Sequence, residues 1–365
     1  MTSAVTPPCR FFAPGRVNLM GDHTDTSAGL AMPMALPLGI TLSVEVTNGP
    51  TQWTSNSSAQ PAFDADVAEP GTVEGPSAYP AGAAWVLRQI GFGAMPNLKG
   101  VATSTLPVGS GLSSSAALTV AFLMAWNAVA GLALAPMEIV HLARRVENEF
   151  VGLPCGLLDP WAIVFGESGR VLICDFDSVQ TRSVLWPDEL SVVIGHTGRS
   201  RELSAGGPYS QRVEEVRLAA RQLGIGSLRE ANLEAIESIR EPQIQARARH
   251  VVSENLRVEA LATALTERDA RQIGMLLRQS HASLRDDFEA SSPELDAMVA
   301  ACSESAGCLG ARMTGAGWGG ACVAIVQKSL VSSFLHQAKA SYRDRTELEA
   351  RFWVVEPSAG ARQIG

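Results

Sequence analysis

The sequence predicts a mixed α and β protein of two domains, and three observations carry that reading. Its 365 residues exceed what a single hydrophobic core usually serves. Strand-like and helix-like apolar periods alternate through the first half. The second half turns helical after residue 198 and returns to strands near its end. No repeat, low-complexity tract or obvious linker interrupts the chain, and the best cut lies near residues 186–191, separating 1–187 from 188–365.

The elements are justified in order as follows. GITLSVEV (39–46) and GRVLICDF (169–176) read as strands. Between them a helix is expected at about 116–130 and another at 136–150. The second opens on Pro136, where a missing N–H does no harm, and carries a stripe of Ile139, Val140, Leu142, Ala143, Val146 and Phe150. SVVIGHTG (191–198) follows as a strand, then helical periods at 209–223, 244–265 and 269–283, and strands at 320–326 and 351–357.

Composition excludes several function classes. A net charge of −8 argues against a nucleic-acid surface, which needs clustered Lys and Arg. The first sixteen residues hold no charged region followed by an apolar run, so no secretory signal and a cytoplasmic location are expected. Residues 116–137 are uncharged and long enough to span a bilayer, but they are Ala-rich, contain Asn127 and Gly131, and have no companion span. A helix apolar all round is then a buried helix. The six cysteines, at 9, 155, 174, 302, 308 and 322, show neither Cys-x-x-Cys nor zinc spacing and are expected as reduced core thiols.

The stretch LPVGSGLSSSAAL (106–118) poses the chemical question. Its glycines let backbone amides approach an anion, and a helix starting just after Ser115 would aim free N–H groups at the same point. The alternative is that Ser113 or Ser114 merely caps the helix. A nucleotide loop of the Gly-x-x-x-x-Gly-Lys-Ser/Thr kind is excluded, because the only lysines are Lys99, Lys328 and Lys339. Phosphate charge must be met by a helix terminus, by magnesium on serine and carboxylate oxygens, or by an arginine.

Such groups occur in two further segments. APGRVNLMGDHTDTSAGLAMPMAL (13–36) places Arg16, Asp22, His23 and Asp25 between glycine and proline turns, a set better suited to hydrogen-bonding a polyol than to holding a metal. VENEFVGLPCGLLDP (146–160) ends a helix with Glu147 and Glu149 and presents Asp159 on a loop punctuated by Gly and Pro. GARMTGAGWGGACVAIV (310–326) is a second glycine-rich turn feeding a strand.

In this order and spacing the segments resemble the galactokinase branch of the GHMP small-molecule kinases. PGRVNLMGDHTD is similar to that family's signature, LPVGSGLSSSAAL to its phosphate loop and GARMTGAGWGG to its third motif; the likeness runs on through SHASLRDDFEASSPELD (280–296) to VVEPSAGA. The resemblance implies an α+β, two-domain GHMP kinase fold, its N-terminal part like domain 2 of ribosomal protein S5 and its C-terminal part ferredoxin-like, with the active site in the cleft between them. It implies phosphorylation of the anomeric hydroxyl of galactose from ATP with Mg²⁺, in a monomer whose partners are a sugar and ATP and neither nucleic acid nor membrane.

Carried over by position, the resemblance gives each residue a role. Asp159 would take or orient the anomeric proton, and Arg16 would keep that carboxylate charged and stabilise the transferring phosphoryl group. Ser115 and Glu147 fall where the family coordinates magnesium. Asp22, His23, Asp25, Cys155, Gly156 and Tyr209 fall at the sugar. Pro107, Gly109, Ser110, Gly111, Leu112, Ser113, Ser114 and Ser115 would cradle phosphates, and Tyr79 falls near an aromatic ring that stacks on adenine. His281 and the Arg285, Asp286, Asp287 cluster read as a helix end with its salt bridges.

The sequence departs from the family pattern close to the sugar. Asp22 replaces a usual Glu, Thr26 a usual Tyr, and Leu158 and Pro160 a usual Met and Gln beside Asp159. These changes leave arabinose, galacturonate and N-acetylgalactosamine open as alternative sugars. A non-catalytic sensor of galactose and ATP is the alternative from another class. It is disfavoured by the unbroken GLSSSAAL and by the presence of both Arg16 and Asp159.

Overall fold

The first strand, β1 (Cys9–Met20), pairs antiparallel with the long β2 (Leu30–Val46), and the first half of the chain is laid on this hairpin. β3 (Gln52–Ser55), β4 (Ser58–Ala59), α1 (Ala78–Gln89), β5 (Leu98–Ser104), α2 (Ser114–Val129), α3 (Pro136–Arg145), α4 (Leu158–Phe165), β6 (Arg170–Asp175) and β7 (Gln180–Leu185) complete it. The second half contributes β8 (Leu190–His196), α5 (Pro208–Leu223), α6 (Leu233–Ile236), α7 (Pro242–Glu267), α8 (Ala270–Asp286), α9 (Pro293–Ser303), β9 (Cys308–Thr314), β10 (Ala321–Gln327), α10 (Val331–Thr346), β11 (Arg351–Val355) and β12 (Arg362–Gln363). The structure is a computed structural model and describes residues 9–56, 58–107, 109, 111–199 and 207–364.

Two sheets organise these elements. One runs β12-β1-β2-β5-β3-β4, with β6 on the far end of β2 and β7 on β6; the other is an antiparallel β11-β8-β10-β9. The last strand thus returns to the first sheet, where Phe11 pairs with Gln363. The fold is mixed α and β throughout, as the alternating periods predict.

Why α2 has no polar face is now visible. It packs against β1, β2, α1, α3 and α4, so Ala116 to Leu123 are all buried, and Trp126 donates its indole N–H to the Pro96 carbonyl. Small residues let those neighbours close in from every side. Among the described residues no helix is long and apolar enough to cross a membrane. Of the cysteines, Cys174, Cys302 and Cys322 are core residues, whereas Cys9, Cys155 and Cys308 are only partly buried.

Three local expectations are corrected. Arg16 lies inside β1 rather than between turns, because the hairpin absorbs Pro14, Gly15 and Asn18 as irregularities of register on either side of it. The helix expected over 136–150 stops at Arg145, and Val146–Val151 wind as a π-helix closed by Gly152 at φ 80°. This wider turn faces Asn148 inward, where its amide both accepts from the Cys155 N–H and donates to the Cys155 carbonyl. Asp159 sits in the first turn of α4 rather than on a loop. Pro160 follows it there, in the one part of a helix that needs no proline N–H.

Candidate active site

A cleft of about 900 Å³ opens where the start of α2, the end of the π-helix, the start of α4, the turn after β1 and the turn between β9 and β10 converge. Of the residues singled out in the sequence, Arg16, Asp22, His23, Asp25, Tyr79, Gly109, Gly111, Leu112, Ser113, Ser114, Ser115, Glu147, Cys155, Gly156, Asp159 and Tyr209 all line it. Ser110 lies outside the described residues, and Pro107 is described but does not line the cleft.

The geometry is tightest at Arg16 and Asp159, 143 positions apart in sequence. Arg16 Nε donates to Asp159 Oδ1 at 2.6 Å and Nη2 donates to Oδ2 at 2.8 Å, a two-pronged pair. Nη1 donates to the Gly111 carbonyl at 2.7 Å, and the Arg16 backbone N–H donates to the Leu112 carbonyl. One arginine therefore locks the glycine loop and the aspartate together. Gly15 permits this closeness: a Cβ there would stand 2.7 Å from the Leu112 carbonyl oxygen.

Ser113 does not take the cap role that the sequence offered it. It stands before α2 at φ 60°, in the left-handed region, and its side chain makes no cap to the helix. Its hydroxyl donates instead to Asp159 Oδ2. The sixteen-residue helix thus starts at the cleft wall without a cap from the Ser113 side chain, and a helix N-terminus favours an anion.

Next along α2, Ser115 Oγ donates to Glu147 Oε1 at 3.1 Å. Burial raises the Glu147 carboxyl above its ordinary range, and the nearby Asp159 charge adds to this. The Cys155 thiol, facing Glu147, is pushed far up by burial first and by that carboxylate second. The Tyr79 hydroxyl faces Ser115 and Glu147, and burial raises its pKa too. That position places the Tyr79 hydroxyl beside the serine–glutamate pair while the residue lines the cleft.

The cleft also holds Asp25, Tyr209 and His23. Asp25 lies over Gly156, where a Cβ would fall 1.8 Å from its Oδ2, so no other residue fits beneath it. Burial and then the Asp159 charge raise Asp25 from 3.8 to about 6, against the Leu158 N–H that it accepts. Tyr209, in the first turn of α5, has its hydroxyl pKa raised well above 10 by burial and by Asp25. His23, at φ 66°, stacks on Phe288 with ring centroids 4.4 Å apart and lies 5.7 Å from the Tyr209 ring.

A raised folded-state pKa means that ionising Asp25 opposes folding. Its penalty is absent below its unfolded pKa near 4 and grows as pH rises to about 6. Asp25→Asn should therefore gain stability over the parent across that window, by about 3 kcal/mol at pH 7, and keep a constant margin above it. Urea unfolding at pH 4, 5, 6 and 7 checks this; a margin independent of pH would contradict it.

Asp22 lines the cleft and is also tied into the protein interior. It is 2 % exposed, Oδ2 accepts from Arg312 Nη2 at 2.5 Å, and Oδ1 accepts from the Gly315 N–H at 3.0 Å. Burial outweighs Arg312 and raises its pKa. Arg312 also lies 3.5 Å from Glu254, which accepts from the Gly21 N–H and the Ser280 hydroxyl. Burial acts to raise Glu254, yet Arg257 and Arg312 together hold it well below its ordinary range. The same cluster contains His250, kept neutral by burial with its pKa down near 4, whose Nε2 meets the Asp22 carbonyl. The shortened carboxylate belongs to a buried network that fastens the turn after β1 to β9.

Thr314, Gly315, Ala316, Gly317, Gly319 and Gly320 also line the cleft, and the sequence had marked their turn without assigning it a role. Arg312 lies within the GARMTGAGWGG motif but was given no role there; its pairing across 290 positions reveals one. Arg285 pairs with Asp286, and His281 lies 3.3 Å from Asp296, so that cluster is a helix end, as read. Among the described residues no group of three metal-ligating His, Cys, Asp or Glu side chains occurs. A partly buried carboxylate beside a hydroxyl, with substrate phosphates to add, is nevertheless a donor set that suits Mg²⁺.

Comparison with known proteins agrees with this arrangement. Residues 78–167 match the GHMP kinases N terminal domain, residues 261–344 the GHMP kinases C terminal family, and residues 3–46 the galactokinase galactose-binding signature. A galactokinase of Mycobacterium tuberculosis is 42% identical over 86% of this chain and 88% of its own length. One from Pyrococcus furiosus is 35% identical over 95% and 97%. The crystal structure of Lactococcus lactis galactokinase complexed with galactose superposes with a TM-score of 0.93 at 30% identity, covering 100% of this chain and 97% of that one.

Proposed function

We propose, from the premise that this chain belongs to the galactokinases of the GHMP kinase family and is thus a sugar kinase, that it transfers the terminal phosphoryl group of ATP to the anomeric hydroxyl of galactose. One observation carries the reading: the paired Arg16 and Asp159 stand at the same cleft wall as the start of α2.

In this mechanism the amides at the start of α2 and the glycine loop bind the phosphates. Asp159 has about four acceptor positions on its two oxygens, and three are occupied: Arg16 takes one on each oxygen and Ser113 a second on Oδ2. The remaining position on Oδ1 receives the sugar hydroxyl, orients it in line with the phosphorus and accepts its proton as the new P–O bond forms. Arg16, anchored on β1, places positive charge where the phosphoryl oxygens gather it. Asp25, Tyr209 and His23 bind sugar hydroxyls in the cleft. Ser115 and Glu147 would hold Mg²⁺, which when bound offsets phosphate charge. Asp22 holds the Gly315 turn, which lies beside Gly111 of the glycine loop.

A coupled assay of ADP release with galactose, arabinose, galacturonate, N-acetylgalactosamine and glucose tests the proposal. Galactose is expected to give the highest kcat/KM. No ADP release with any of the five would overturn the reading, and preference for another sugar would overturn its substrate.

A further inference from the structure

The glycine loop is held from two sides. On one side Arg16 takes the carbonyls of Gly111 and Leu112. On the other, a side chain from the second sheet reaches the loop: His196, the last residue of β8, has Nε2 3.1 Å from the Gly109 carbonyl, 87 positions earlier. The Gly198 N–H donates to His196 Nδ1 at 3.0 Å, which leaves the proton on Nε2 and makes the ring a donor to Gly109. His196 is 6 % exposed, flanked across the sheet by Ala321 of β10 and Arg351 of β11; burial and the Arg351 charge both disfavour the doubly protonated ring. Gly109 and Ala321 line the cleft.

Holding the Gly109 carbonyl from β8 gives the glycine loop a fixed point where it lines the cleft. Gly109, at φ 69°, is a residue with little conformational preference of its own and needs an external restraint to hold one orientation.

We propose that His196 is a positioning residue for nucleotide: by tying Gly109 to β8 it sets the loop that meets the triphosphate, and so joins the second sheet to phosphate binding. The inference rests on the kinase reading above and deepens it.

Four proteins test it: the parent, His196→Ala, His196→Asn and His196→Gln. Asn keeps an acceptor for Gly198 but is too short for Gly109, whereas Gln can extend an amide N–H to the Gly109 carbonyl. In Ala and Asn, KM for ATP and Kd for ADP by calorimetry should rise about three- to tenfold, the worth of one hydrogen bond, with KM for galactose within about twofold of the parent. Gln should restore most of the nucleotide affinity. Unchanged nucleotide affinity in Ala and Asn, or Gln no better than Asn, or an equal rise in both KM values, would overturn the proposal. Should the parent phosphorylate no sugar, the kinase reading fails while ADP calorimetry still decides the role of His196. If Ala does not fold, the Asn and Gln pair carries the comparison.

Discussion

Asp159→Asn should lower kcat by about 10²–10⁴, the contribution usual for a positioned acid–base group, equivalent to about 3–5 kcal/mol of transition-state stabilisation. The substitution keeps the shape and one acceptor oxygen but replaces the other with an NH₂ facing Arg16 and Ser113, both of which already donate there. The proton from the sugar loses its destination and the guanidinium loses its counter-charge. In the proposed mechanism sugar binding rests on Asp25, Tyr209 and His23, so KM for the sugar should stay within about threefold of the parent, as expected for a group acting in the transition state. Steady-state kinetics decide the matter: turnover within tenfold of the parent would remove Asp159 from the reaction.

The second large effect concerns stability. Arg312→Met should cost about 3–5 kcal/mol in urea unfolding at pH 7, because the fully buried guanidinium is the counter-charge of the equally buried Asp22 and helps neutralise Glu254. Methionine fills similar space but leaves two carboxylates without enough positive charge, since Arg257 reaches only Glu254 at 2.6 Å. Those carboxyls then gain in proton affinity, so the deficit should narrow as pH is lowered toward 5. A loss under 1 kcal/mol would show that the network is not held by its charges. The double variant Asp22→Asn with Arg312→Met should recover part of the loss, because removing both partners spares the buried anion.

What the sequence could and could not reveal follows from the range of the interactions. α2, α5, α7 and α8 were legible within two or three residues at most of their ends, because apolar periodicity is a local property. β1 was not, since Pro14 and Gly15 look like turn residues unless the bulged register with β2 is known. The break at Arg145 escaped for a related reason: a π-helix keeps helical composition and changes only the winding. The cleft residues were legible through their motifs, yet motifs do not say which partner a side chain takes. Ser113 reads as a cap and binds Asp159; Asp22 reads as a sugar ligand and pairs with Arg312. Links spanning 87 and 290 positions, those of His196 and Arg312, have no trace in any short window.

The pairing of Phe11 with Gln363 bears on how the chain is made. During vectorial synthesis on a ribosome, the outer edge of the strand carrying Arg16 emerges first and waits, unpaired, until every other described element has been translated. An open strand edge invites mispairing for as long as it stays open. The slowest-arriving partner therefore covers the earliest-exposed hazard, so nascent chains stalled before residue 362 should be the aggregation-prone species of this protein.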